Sequence, residues 1–246
     1  MSYNLANAHS RDSRVTFEDS SHSYSIDGVP VDRSVTQLVS SCFEPFDADY
    51  WAARKATPTR TAEMIKAEWE RKAEEARNLG SLMHHRIEQY YLGNEQDSGA
   101  AADVAFRHFI AFEESFRLRP YRSEWVIFDE DLGLAGTLDF LAVNSAGEYE
   151  IYDWKRSNKV VDEYGKAIAS DRFGKHAIAP LQHIPDTSFY HYALQLSLYR
   201  YILEKRYGIR PVAAHLGVFH PCYSRPYVVD VPYLRDEVLT LLSCLK

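Results

Sequence analysis

The sequence predicts a mixed central β-sheet flanked by helices, of α/β or α+β type. Three observations lead there. Between Trp125 and Lys155, three runs rich in β-branched and aromatic residues follow one another with turn residues between them. Segments with helical spacing of apolar residues precede and follow that block. Two further β-rich runs, at 213–219 and 227–231, come after the second helical segment, so strands and helices alternate. With 246 residues and 46% hydrophobic content, the chain has enough apolar side chain for one sizeable core.

Residues 1–14 are polar and read as a disordered tail. Alternation in Arg14-Val15-Thr16-Phe17 and Ser23-Tyr24-Ser25-Ile26, with a turn at Gly28, predicts a small hairpin over 15–31. Ser34 is placed to cap a short helix through Val39, and an aromatic connector runs from Phe43 to Phe46. Residues 61–78 are dense in Glu, Lys and Arg, with Ile65 and Trp69 on the buried side of a helix. Gly80 separates it from a second helix whose apolar contacts are Leu82, Met83, Ile87, Tyr90 and Tyr91. Residues 15–79 thus form an N-terminal hairpin and helical extension, and 80–246 the main domain. A loop at 93–99 leads to an amphipathic helix over 101–116, and strands follow at 125–128, 134–143 and 148–155. Residues 158–189, punctuated by Gly165, Gly174, Pro180 and Pro185, are too long for a simple connection and read as a functional flap. A helix over 192–205 ends near Tyr207-Gly208, and after the last two strands a helix from Pro232 closes the fold.

The chemistry concentrates in the strands at 134–143 and 148–155. The turn residues Asn144-Ser145-Ala146-Gly147 make them a hairpin. Folding about that turn brings Asp139 opposite Tyr152 or Asp153. Alternation puts Ile151, Asp153 and Lys155 on one face. Two carboxylates and an amine in the middle of a sheet are costly to bury without a strong partner, and a divalent cation with oxygen ligands is the economical one. Gly136-Thr137 lets another backbone come close. The triplet acid-x-Lys is weak by itself: Glu70-Arg71-Lys72 matches it inside a solvated helical run.

Two helical pairs add to this. His84 and Glu88 are four apart and share a helix face, where an imidazole supplies a metal ligand and a carboxylate binds metal or orients water. Gln195 and Tyr199 share a face of the later helix. In order, Gly80/His84/Glu88, Gly136/Asp139, Asp153/Lys155 and Gln195/Tyr199 resemble the pattern of the PD-(D/E)XK nuclease superfamily, and within it the RecB-type exonucleases. The resemblance spans residues 80–207. Each motif is weak alone; their order is the strong signal. Leu138 stands where the superfamily name has Pro, a common departure in this branch, and the spacing from Gly80 selects His84 over its neighbour His85.

The resemblance implies a restriction-endonuclease-like core at 80–246 and metal-dependent phosphodiester hydrolysis, most often DNA degradation from single-stranded ends. Endonucleases of the same fold on DNA or RNA, and non-catalytic nucleic-acid-binding subunits, are the alternatives. It implies one or two Mg²⁺ or Mn²⁺ ions held by His84, Asp139, Asp153 and the carbonyl of Trp154. Lys155 would orient or deprotonate water, Glu88 would stand behind the metal or hold a second ion, and Gln195, Tyr199 and Arg156 would lie on the substrate side. Glu124, before the first strand, is either a further carboxylate of the site or a surface acid.

Composition sets outer bounds. Cys42, Cys222 and Cys244 are dispersed, which excludes the four-cysteine iron–sulfur cluster of some RecB-type nucleases and points to an intracellular, reducing compartment. No long apolar run predicts a membrane span. The net charge of -7 is unusual for a nucleic-acid binder, yet local patches decide binding, and Arg54-Lys55, Arg71-Lys72, Lys155-Arg156, Lys166, Arg172 and Lys175 flank the expected site. Tyr50, Trp51, Tyr164 and Phe173 are candidates for stacking on bases. A protein partner in replication, recombination or repair would fit such an activity.

Overall fold

The computed structural model describes residues 2–18, 21 and 23–245. The chain opens with a short helix α1 (Tyr3–Ala6) and a 3-10 turn at Asp12–Arg14. Strands β1 (Val15–Glu18), β2 (Ser23–Ile26) and β3 (Val29–Pro30) form a small antiparallel sheet. Asp27 and Gly28, both at positive φ (51° and 79°), make the two-residue turn between β2 and β3. Strand β4 (Arg33–Ser34) leads into α2 (Val35–Ser40), where Ser34 and Gln37 form a reciprocal capping box.

Helices α3 (Ala48–Lys55), α4 (Ala62–Leu92) and α5 (Val104–Phe116) come next. Strands β5 (Arg119–Asp129), β6 (Leu134–Val143) and β7 (Tyr149–Lys155) follow. After the flap, α6 (Ser188–Ile202) runs through a π-turn to Gly208, then β8 (Pro211–Val218), β9 (Tyr227–Asp230) and α7 (Arg235–Ser243) complete the chain. The larger sheet has six strands and is mixed. β5–β6, β6–β7 and β8–β9 are antiparallel, while β4–β6 and β7–β8 are parallel. Helices cover both faces, so the α/β class read from the sequence holds. One apolar cluster joins α2, α6 and α7 to the sheet, and the other packs Met83, Ile87, Phe106, Phe109 and Phe112 against Phe140, Tyr152, Trp154 and Phe219. No described helix is long and apolar enough to cross a membrane.

Three expectations need correction. The tail at 1–14 is ordered from Ser2 onward: Asn4, Asn7 and Asp12 bond β5 through Ser123, Tyr121, Arg122 and Trp125. Its polar residues are hydrogen-bonding partners for an edge strand, not solvated filler. Nor does Gly80 break the helix. α4 is continuous for 31 residues across the expected boundary at 79/80, because an isolated glycine costs only about 1 kcal/mol inside a helix. The stop is Gly93, at φ 72°. Finally, the flap is a packed element. Val160, Val161, Ala177, Leu181 and Ile184 are buried in the main core, and Ile178 N–H donates to the Cys42 carbonyl at 2.8 Å.

Candidate metal centre

The site lies where β6 and β7 part. β5 holds one edge of β6 along its length. On the other edge β7 pairs with residues 140–143 and β4 with 134–135, so residues 136–139 face no strand there. β7 continues beside β8 instead, with Asp153, Trp154 and Lys155 opposite Leu216, Gly217 and Val218. One step beyond the last paired residues, Phe140 and Tyr152, the register puts Asp139 opposite Asp153, which decides between the two registers the sequence leaves open. The Asp139 carboxylate bridges the gap: its Oδ2 accepts from Trp154 N–H at 2.9 Å.

Trp154 is itself fixed. Its ring stacks on Phe219 at 5.8 Å between centroids and meets Phe109 and Phe112 edge-on. Gly217 leaves room for it, since a Cβ there would fall 2.8 Å from the indole. The Trp154 carbonyl then accepts from His84 Nε2 at 2.8 Å, so that nitrogen carries a proton. The other ring nitrogen, Nδ1, faces Asp139 Oδ2 at 3.6 Å and Glu124 Oε1 at 3.7 Å. Burial works against a charged imidazole, but Asp139 and then Glu124 outweigh it and carry the His84 pKa up to about 9. Two residues further along α4, Arg86 is buried and paired with Asp97 and Asp103, which anchors this part of the helix.

Glu124 reaches the cluster through an unusual backbone. Ser123 pairs with Phe140 and Trp125 with Leu138, so Glu124 lies across from Asp139. It does so at φ 45°, a left-handed conformation inside a strand. Donor atoms of His84, Glu124 and Asp139 all lie within 4.8 Å of one another, within reach of a single cation at about 2.0–2.6 Å per ligand after small shifts. An imidazole that donates its other N–H to a carbonyl is the usual state of a metal-bound histidine.

Asp153 and Lys155 are the second half of the site. Asp153 is 1% exposed, and the Lys155 ammonium, in direct contact with its carboxylate, is its ion-pair partner. Burial, then the neighbouring Asp139, push its pKa up; Lys155 opposes them. The Lys155 pKa is raised against its burial by Asp153 and Asp139, and its ammonium lies 4.6 Å from the Tyr192 ring centroid. A buried carboxylate beside a second one fits a divalent cation.

The other predicted residues are placed less centrally. Glu88 and His85 line the open cleft of ≈ 580 Å³ in front of His84 and Glu124, but neither belongs to the three-residue cluster. Gln195 Nε2 donates to the Tyr199 hydroxyl at 3.1 Å. Tyr199 is 1% exposed and packs on Gly136, where a Cβ would meet its ring at 2.7 Å. Its hydroxyl accepts from Gln195, and the glycine admits an aromatic ring, not a backbone. Arg156 lies toward His220, whose pKa burial and then Arg156 lower, and no described contact links it to the cluster. Arg60, just before α4, and basic residues of α4 form ion pairs: Arg60 and Lys72 with Glu68, Arg71 with Glu75, Arg77 with Glu70.

No protein-family model matches the chain, and no curated protein matches it. Among solved structures, one described as "Crystal structure of SSO0001" aligns with 87% of this chain and 74% of its own, at 15% identity and a TM-score of 0.36. That likeness is too slight to carry fold or function, which rest on the geometry above.

Proposed function

We propose that the chain is a metal-dependent nuclease of the PD-(D/E)XK type, hydrolysing phosphodiester bonds of nucleic acid, with single-stranded DNA ends as first substrate. The observation that carries this reading is the meeting of His84, Glu124 and Asp139 with the buried Asp153–Lys155 pair at the parting of β6 and β7. A Mg²⁺ or Mn²⁺ ion would be held by His84 Nδ1, Glu124 and Asp139, with Asp153 beside it. The ion supplies Lewis-acid polarisation of a phosphoryl oxygen and a bound water of lowered pKa.

The protein side chains do the rest. His84 is oriented by its bond to the Trp154 carbonyl, which keeps Nδ1 aimed at the carboxylates. Asp153 holds the Lys155 ammonium inside the site. The raised Lys155 pKa favours a charge-balancing and water-orienting role over that of a general base. A second reading, internal cutting, is favoured by the packed flap: with Val160, Val161 and Leu181 in the core, it does not behave as a free lid over a threaded strand. The deciding experiment incubates end-labelled linear and circular single-stranded DNA, and labelled RNA, with Mg²⁺, Mn²⁺ or EDTA. Degradation of the linear form alone supports end-dependent action, and nicking of the circle supports internal cutting. Lack of metal-dependent cleavage of DNA and RNA alike refutes the proposal.

A further inference from the structure

The flap contains the same five-residue turn twice. Asp162-Glu163-Tyr164-Gly165-Lys166 and Asp171-Arg172-Phe173-Gly174-Lys175 share the order Asp, any residue, aromatic, Gly, Lys. Their hydrogen bonding is shared as well. Asp162 Oδ1 accepts from Tyr164 N–H and Lys166 N–H at 2.9 Å each. Asp171 Oδ2 accepts from Phe173 N–H at 2.7 Å and Lys175 N–H at 2.9 Å. Gly165 and Gly174 close the turns with N–H bonds to the Asp carbonyls at 3.1 and 3.2 Å, and both have positive φ, 85° and 67°.

Each turn therefore holds its carboxylate on its own backbone and leaves its lysine outside any ion pair among the described residues. Among the described residues, Lys166, Lys175 and Arg172 form no ion pair, whereas Arg60, Arg71, Lys72 and Arg77 along the α4 region all do. The aromatic rings stand in solvent: Tyr164 is 78% and Phe173 75% exposed, the two highest values among the exposed large hydrophobics. The first turn is also braced from below, because Tyr227 donates its hydroxyl to the Glu163 carbonyl at 2.7 Å and its ring lies against Gly165. Both rings are thus open to a ligand.

We infer that these twin turns are a binding surface for single-stranded nucleic acid, each offering a ring to a base and an ammonium to a phosphate. The inference rests on the nuclease reading and adds where the strand is gripped. Stacking needs an unstacked base, which a single strand presents and a duplex hides. Paired ring and cation match the paired base and phosphate of each nucleotide. The flap leaves directly from Lys155 at the end of β7 and returns into α6, so the grip belongs to the segment joining two elements of the site.

The test is fluorescence anisotropy with end-labelled oligothymidylate, and with a duplex, in EDTA. Tyr164→Ala and Phe173→Ala should each weaken single-strand binding about tenfold and the double variant about a hundredfold. Lys166→Ala with Lys175→Ala should lower the salt slope of binding by about 1.4 in total. Mn²⁺-dependent hydrolysis of bis(p-nitrophenyl) phosphate, too small to span both turns, reads the metal site separately and should stay unchanged in all variants. A wild type that fails to bind the oligonucleotide, or a double variant that binds it as tightly, overturns the inference. Failure of wild type to cleave DNA or RNA with Mg²⁺ or Mn²⁺ refutes the nuclease reading instead.

Discussion

Asn4 lies far from any recognisable catalytic motif, yet the structure ties it to the candidate metal site. Its side chain grips Ser123 three ways: Oδ1 accepts from Ser123 N–H at 2.9 Å, and Nδ2 donates to Ser123 O and Oγ at 3.3 and 3.2 Å. The Tyr3 hydroxyl adds a bond to Ser123 Oγ at 2.8 Å. Ser123 is buried, and the next residue is Glu124 with its left-handed backbone. A strained residue of this kind costs about 1–3 kcal/mol and persists only where its surroundings over-determine it.

Asn4→Ala leaves a buried N–H without a partner, a penalty of about 1–3 kcal/mol. The Ser123–Glu124 peptide gains from rotating away, and that rotation withdraws the Glu124 carboxylate from His84 and Asp139. If about 2 kcal/mol of support is lost, the competent conformer falls roughly thirtyfold and the apparent Kd for Mn²⁺ rises by the same factor. Calorimetric titration with Mn²⁺, beside thermal melting in EDTA, measures both effects. Asn7→Ala is the control: it loses bonds to Tyr121 O and Tyr3 O on the same segment but none to Ser123. It should lower Tm with little change in Mn²⁺ affinity. An Asn4→Ala protein that melts earlier but binds Mn²⁺ as wild type does would refute the link between the N-terminal segment and Glu124.

Lys155→Ala should lower turnover by about two orders of magnitude while substrate affinity largely survives; a loss of affinity alone would move Lys155 from the chemistry to binding. In EDTA, stability should fall as pH rises from about 6.5 to about 9, because the His84 pKa is raised in the folded state and its stabilising proton is lost across that window. His84→Gln should flatten that part of the Tm–pH curve, and Mn²⁺ should stabilise wild type more at pH 9 than at pH 6.5, since proton and cation compete for Nδ1; a flat wild-type curve contradicts the assignment. Gly136→Ala should destabilise by about 1–3 kcal/mol in denaturant titration, because its Cβ would meet the Tyr199 ring at 2.7 Å, and Tyr199→Leu in the same chain should recover part of the loss. Tyr199→Phe should not, because the clashing ring atom remains.

Much of the fold was legible because its strongest signals are local. The hairpin turn at 144–147, the Ser34 cap and the glycine stop after Tyr207 act within a few residues, and each appears as read. The misreadings share a cause, which is a local signal overruled by a distant partner. Gly80 reads as a stop, but Ile65 upstream and Met83 and Ile87 downstream are buried along one continuous helix. The polar residues of the N-terminal segment read as solvated, but Asn4, Asn7 and Asp12 have partners on β5 more than a hundred positions away. The flap residues read as an open loop because their Gly and Pro content is visible, while the burial of Val160 and Ile184 is not.

The site divides the same way. Asp139, Asp153 and Lys155 stand out because acids in strand patterns conflict with burial, and the structure encloses Asp153 beside Asp139 with the Lys155 ammonium as its ion-pair partner. His84 could be chosen over His85 only through its spacing from Gly80, and helix geometry makes the choice physical, since His84 faces Trp154 while His85 is exposed. Glu124 was the acid that sequence left open. What decides it is the β5–β6 register, and that register is a tertiary fact: Trp125 sits opposite Leu138, which leaves Glu124 opposite Asp139. A left-handed glutamate in a strand has no sequence signature, because glutamate is a poor residue for that conformation. The strain is therefore informative only once the structure locates it beside His84 and Asp139. That is the reason a grip on Ser123 from the N-terminal segment should be felt at the candidate metal site.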